Sequence, residues 1–156
     1  MAKIEFGTKD ECRWELPDDF YYHREDHIWA RKDGDKVYFG VDQFGQYAAG
    51  EVQYLKIMPA GRKFKKNKTF GSLESGKYIG PMRAPVGGEI LEVNDAVIKS
   101  PKMINESPYE NWVVCMKPEQ FDTDAEDLPH GEEKIKEWMR VELEDYKSKD
   151  LLKCDD

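Results

Sequence analysis

Apolar and polar positions alternate over several short stretches of the chain, and clusters of Gly and Pro separate them. The run HIWARKDGDKVYFGV reads as a hairpin, with Ile28, Trp29 and Ala30 in one strand, a turn over residues 32–35, and Val37 to Val41 returning. In DQFGQYAAGEV, Asp42 can cap a short helix carrying Phe44 and Tyr47, and Gly50 stops it. VQYLKIM turns Val52, Tyr54 (or Leu55) and Ile57 inward as a strand. TFGSLES and EILEVN are further strands, and NWVVCMK is a strongly apolar one that Pro118 ends. DAVIKSPKMINESPYEN is a long connection with one helical turn. Near residue 131 the period changes: Ile135, Trp138, Met139, Leu143 and Tyr146 recur at three and four, which predicts an amphipathic helix to about residue 147. Glu132 and Glu133 in its first turn, and Lys147 and Lys149 near its end, complement the helix dipole.

These elements predict an α+β, mainly β, architecture. Residues 1–20 form an arm lying over the domain, residues 21–130 the domain itself, and residues 131–156 a helix and tail packed on it.

Composition narrows the function. The 156 residues carry 32 Asp and Glu against 24 Lys and Arg, a net charge of −8, which argues against nucleic-acid binding. No apolar run approaches a membrane span, and MAKIEFGTKDECRWELPDD lacks a secretory stretch, so a cytoplasmic protein is expected. Cys12, Cys115 and Cys154 form no CxxC and no histidine has metal-like spacing, so neither a disulfide framework nor a metal site is expected.

The candidate chemistry centres on Lys77, framed as Glu74-Ser75-Gly76-Lys77-Tyr78. Gly76 tolerates positive φ, so a tight turn here would throw the lysine outward at a hairpin tip. Pro85, Gly87 and Gly88 would then bend the chain so that Ile90 to Val93 runs back as a strand. A rigid tip presenting one amine suits a carrier: a modifying enzyme can grip the turn and the finished arm can reach out.

ESGK, with PVGGEI beginning eight residues beyond the lysine, resembles the lipoyl-lysine hairpin of the glycine cleavage H protein family. The resemblance runs from about Tyr22 to Trp112 and includes Gly50-Glu51-Val52, Pro59-Ala60-Gly61, Asn94, Pro101, Asn105, Pro108 and Tyr109. It implies a barrel-sandwich hybrid of the lipoyl/biotinyl hammerhead type, with short helices and a closing C-terminal helix. It implies lipoate in amide linkage to Lys77, attached by a lipoate-protein ligase, with Glu74, Ser75, Gly76 and Tyr78 recognised in the hairpin. Partner enzymes would supply the catalytic groups, so the protein itself is expected to be a non-enzymatic carrier.

Departures from the usual H protein concern the pathway. Gly76, Tyr78 and Ile79 flank the lysine, Gly80-Pro81 follows, Ile28 replaces an acidic residue, and Gly87-Gly88 and the charged tail are unusual. ESGKYIGPMRAP is similar to the H-like lipoate-binding proteins of sulfur oxidation, which implies a heterodisulfide-reductase-like complex as partner and sulfur-bearing cargo. The alternative is the H protein of glycine cleavage, carrying an aminomethyl group among glycine decarboxylase, aminomethyltransferase and dihydrolipoyl dehydrogenase. A biotin carrier would place methionines beside the lysine, and Lys77 has neither. An unmodified interaction domain is the alternative from another class.

Other residues have plainer readings. His27, beside Trp29, either lines the cleft where the arm rests or is a satisfied structural histidine, and the second is simpler. His23 and His130 read as exposed loop residues. Arg62, Lys63, Lys65, Lys66 and Lys68 read as a solvated hairpin edge. Cys115 reads as a buried small hydrophobe, and Cys12 and Cys154 as unactivated thiols.

Overall fold

The run Ile28-Trp29-Ala30 is apolar at every position because its strand is covered on both faces, and all three residues are buried. The computed structural model describes residues 3–7, 13–149 and 151. Its strands, in chain order, are β1 Lys3–Gly7, β2 Arg13–Pro17, β3 Tyr21–His23, β4 Ile28–Asp33, β5 Lys36–Val41, β6 Val52–Ile57, β7 Lys63–Phe64, β8 Thr69–Ser75, β9 Ile79–Arg83, β10 Gly88–Val93 and β11 Val114–Pro118. The helices are α1 Gln43–Ala49, α2 Asp95–Lys99, α3 Met103–Glu106, α4 Phe121–Ala125 and α5 Glu132–Ser148.

Six strands pair in the order β3-β4-β5-β11-β10-β7, three in the order β6-β8-β9, and β1 pairs with β2. On one face of the six-stranded sheet, Ile28, Ala30, Val37, Phe39, Ile90 and Met116 share a core with Leu55, Phe70, Leu73 and Met82 of the three-stranded sheet. Phe39 and Phe70 meet with ring centroids 5.2 Å apart. On the other face, Tyr22 and Trp29 pack with Trp14 and Leu16 of β2, Phe44 of α1, and Ile135, Trp138 and Met139 of α5. The Trp29 indole N–H donates to the Pro108 carbonyl at 3.1 Å, so its one polar atom is satisfied inside this layer. This is the mainly-β fold with short helices and a C-terminal helix that the sequence predicts.

Several expectations need correction. The strand returning from the Lys77 hairpin is β9, which pairs with β8, and not the Ile90 strand, which belongs to the other sheet. Pro81 lies within β9, an edge strand, where a missing amide donor costs little. In β6 the burial runs Val52 and Leu55, with Tyr54 outward, because the β6–β8 register shifts between Val52 and Tyr54. Within the N-terminal arm, residues 3–7 and 13–17 pair as a two-stranded sheet. His23 and His130 are not exposed loop residues. His23 is buried, with its ring facing Asn67 Oδ1 at 3.1 Å, and His130 stacks on Tyr21 at 3.8 Å. Cys12 and Cys154 lie outside the described residues. Among the described residues no helix is long and apolar enough to cross a membrane.

The Gly87-Gly88 pair has a packing cause. Gly88 opens β10 between Phe64 and Pro118, and a Cβ there would lie 2.1 Å from the Lys117 carbonyl oxygen. That oxygen belongs to the backbone and cannot rotate away. Gly88→Ala should therefore lose about 3 kcal/mol of stability, read as a lower urea midpoint at unchanged m-value. An unchanged midpoint would refute the packing cause.

Candidate functional site

Lys77 sits at the tip of the hairpin joining β8 to β9 and is exposed. The Ser75 amide donates to the Tyr78 carbonyl at 2.7 Å and closes the turn. The Ser75 side chain points inward. Its hydroxyl donates to the Ala49 carbonyl at 2.6 Å and accepts the Lys77 amide at 3.3 Å. One hydroxyl thus fixes the tip to the end of α1.

The lysine stem lies against Gly50, the residue that ends α1 at φ 85°. A Cβ on Gly50 would stand 2.9 Å from Lys77 Cε, so glycine serves both the backbone angle and the close approach. Asn105 holds this loop from beneath. Its amide nitrogen donates to the Gly50 carbonyl and to Gln46 Oε1, each at 2.9 Å, and its oxygen accepts the Val52 amide at 2.8 Å.

Beside the tip opens a cavity of about 200 Å³ lined by Ile28, Ala49, Leu73, Tyr78, Met82 and Tyr146 together with Glu25, Asp26 and His27. Asp26 is locked to β9: Arg83 Nε and Nη2 each donate to its carboxylate at 2.9 Å and the Arg83 amide donates at 2.8 Å. His27 is buried at φ 58°, with Nδ1 2.8 Å from Asp42 Oδ2 and Nε2 2.6 Å from Glu142 Oε1. Burial opposes its charge, but Asp42 and Glu142 outweigh it and raise its pKa to about 9. Its ring also stacks on Trp138 at 4.7 Å, so α5 is joined to the cavity wall by both charge and ring contact.

Known proteins resemble this chain in the same region. Residues 20–142 match the model of the family described as glycine cleavage H-protein. The chain belongs to the glycine cleavage H-protein family. A relative named glycine cleavage system H protein 2, from Aquifex aeolicus, is 40% identical over 132 residues, covering 81% of this chain and 82% of the relative. A probable glycine cleavage system H protein 3 from Sulfurisphaera tokodaii is 42% identical over 104 residues, covering 67% and 76%. The crystal structure of a glycine cleavage system H protein from Mycobacterium marinum superposes with a TM-score of 0.62 at 28% identity, covering 66% of this chain and 86% of that one.

In this H-protein-family chain the structure brings Lys77, Ser75 and Tyr78 together at one tip, with Gly76 and Glu74 exposed beside them. The Ser75 hydroxyl is engaged internally and not offered to a partner. His27 is a satisfied histidine, each ring nitrogen having a carboxylate partner, and it also lines the cavity. Cys115 is buried, and burial pushes its thiol up, away from reactivity. Of the basic run, Lys66 is not merely solvated: it pairs with Asp127 and with the Asp124 carbonyl.

Three positioning residues went unread in the sequence: Asp42 as partner of His27, Glu142, and Asn105 as a brace. The first had a signal, since Ile28 pairs with Val41 and His27 and Asp42 adjoin that pair. Glu142 lies 115 positions from His27 and had none.

Ser75→Ala would strand the Ala49 carbonyl and should cost about 1–2 kcal/mol, with faster hydrogen exchange at the Lys77 and Tyr78 amides as the local readout. For His27 the folded pKa lies above the usual 6.5. Its stabilisation is complete below 6.5 and is lost as pH rises through about 9. Stability should fall by up to about 3 kcal/mol across that interval, and Glu142→Gln should flatten the fall. Urea midpoints at pH 6, 7.5 and 9 test this, and a flat wild-type profile would contradict it.

Proposed function

We propose that this chain is a lipoyl carrier of the glycine cleavage type, with lipoate in amide linkage to Lys77 Nζ. The observation that carries the reading is the exposed lysine on a braced hairpin tip beside a cavity of mixed polar and apolar lining, in a chain whose relatives are named for glycine cleavage. The departures at Gly76, Tyr78 and Ile79 suggest sulfur oxidation, but the relatives' names give that pathway and a heterodisulfide-reductase-like partner no support. The glycine cleavage alternative is therefore the better reading.

The residues fit the group. Lys77 presents an exposed amine with its stem already laid toward the α1 loop. Leu73, Met82 and Ala49 give the cavity apolar lining for a hydrocarbon arm, and Glu25, Asp26, His27 and Tyr78 supply polar atoms beside it. When bound, the lipoyl group supplies two redox-active sulfurs at the end of a flexible tether. The chain anchors that tether, shelters it in the cavity and presents it; tethering raises the effective concentration at a docked partner to roughly millimolar order. Partners of this reading are a lipoate-protein ligase, glycine decarboxylase, aminomethyltransferase and dihydrolipoyl dehydrogenase. No catalytic residue is assigned to the chain itself.

Incubation with lipoate, ATP and a lipoate-protein ligase should add one lipoyl group by intact mass, and Lys77→Ala should add none. The lipoylated protein should then support exchange of the glycine carboxyl group with bicarbonate by glycine decarboxylase. Absence of modification would overturn the carrier reading. Modification without exchange would overturn only the pathway.

A further inference from the structure

Gly80 lies inside β9, and its φ is outside the left-handed region, so its backbone does not call for glycine. A glycine within a strand weakens it and often marks a close approach to its backbone. What approaches here is the side chain of Tyr78. A Cβ on Gly80 would stand 2.1 Å from the Tyr78 hydroxyl oxygen and 2.6 Å from the ring carbon that bears it. Gly80 pairs with Leu73, which is buried between the two sheets, so that Cβ would point to the inner face. The Tyr78 ring is therefore folded back along β9 on the side that carries Leu73 and Met82, in the notch that Gly80 leaves.

Tyr78, Leu73 and Met82 all line the cavity beside the tip. Of the residues lining it, only Glu25, Tyr78 and Pro81 are exposed. Glu25 is charged, and Pro81 pairs with Ser72 on the opposite face of the sheet. The Tyr78 ring is thus the one broad apolar surface standing between the cavity and solvent. Its hydroxyl has no hydrogen-bond partner among the described residues, so contact with Gly80 is what holds it. The Lys77 stem lies on Gly50, next to Ala49 of the lining, so a group leaving Nζ starts at the edge of the same cavity.

We propose that Tyr78 is a positioning residue for the arm: its ring, seated on Gly80, is the outer wall of the cavity and keeps the sulfur end of a group on Lys77 from thiols in solution. The inference rests on the reading of Lys77 as the lipoyl lysine. A disulfide exchanges with any thiolate that reaches its sulfurs, and access helps set the rate. A carrier has to yield its disulfide to an enzyme and withhold it from solution. A wall that opens by rotation of one untethered side chain meets both needs.

The test uses protein lipoylated to completion and treated with dithiothreitol, which closes to its cyclic disulfide as the dithiolane opens to the dithiol. Alkylation followed by intact mass reads the rate. Wild type should react about tenfold more slowly than free lipoamide, as when roughly nine-tenths of the arms are sheltered. Tyr78→Ala and Gly80→Ala should each approach the free rate, and Tyr78→Phe, which keeps the ring, should restore the slow one. Gly80→Ala added to Tyr78→Ala should change nothing further, because position 80 acts only through the ring. In unmodified protein, Gly80→Ala should also shift the NMR resonances of the Tyr78 ring, a readout independent of any ligase. A wild type as reactive as free lipoamide, equal rates in wild type and Tyr78→Ala, an additive double variant, or an unmoved Tyr78 ring in Gly80→Ala would each overturn the assignment and leave the carrier reading intact. Failure of the wild type itself to accept lipoate would overturn both.

Discussion

A sheet buried on both faces is the constraint from which the other features follow. β4 and β5 send alternate residues into two separate apolar layers, so Ile28 and Ala30 serve one layer while Trp29 serves the other. The first layer needs a second sheet, and β6, β8 and β9 supply it, which places the Lys77 hairpin at one end of a rigid two-sheet unit. The second layer needs a lid, which the β1–β2 pair and α5 provide. Without the Trp29 layer there would be nothing for α5 to cover, and the cavity beside Lys77 would lose the wall that Tyr146 forms.

The candidate site inherits its order from that arrangement through a few polar contacts. Ser75 fixes the tip to α1, Asn105 fixes the end of α1 from below, and Asp42 caps α1 while meeting His27. Each contact satisfies a buried backbone or side-chain group that would otherwise be costly to leave bare. The chemistry offered by the tip is one amine, and the structure's investment lies in where that amine is held.

Much of this was legible in the chain. The Lys77 turn (formed without the positive φ that Gly76 would tolerate), the Asp42 cap, the Gly50 stop and the period of α5 are local signals, each carried by residues within a few positions of one another. What escaped was set by tertiary partners. Pro81 belongs to a strand because β9 lies at a sheet edge. The strand β7, with Phe64 buried between basic residues, pairs with β10 from a distance along the chain and leaves no local pattern. His23 looks exposed until Asn67 is brought to it from 44 positions away. The pathway was not legible for a different reason: residues flanking the lysine report on the surface near the tip, and such a surface does not name the substrate.

The contact between Lys77 and Gly50 also bears on how anything fixed to Nζ would move. With the stem lying on the α1 loop, the pivot sits near Cε and not at the backbone. The sweep of a group attached there would then be a cone with a lever shorter than the full side chain. A bulkier residue at position 50 would lift the lever off its rest and widen the cone without altering the length of the tether.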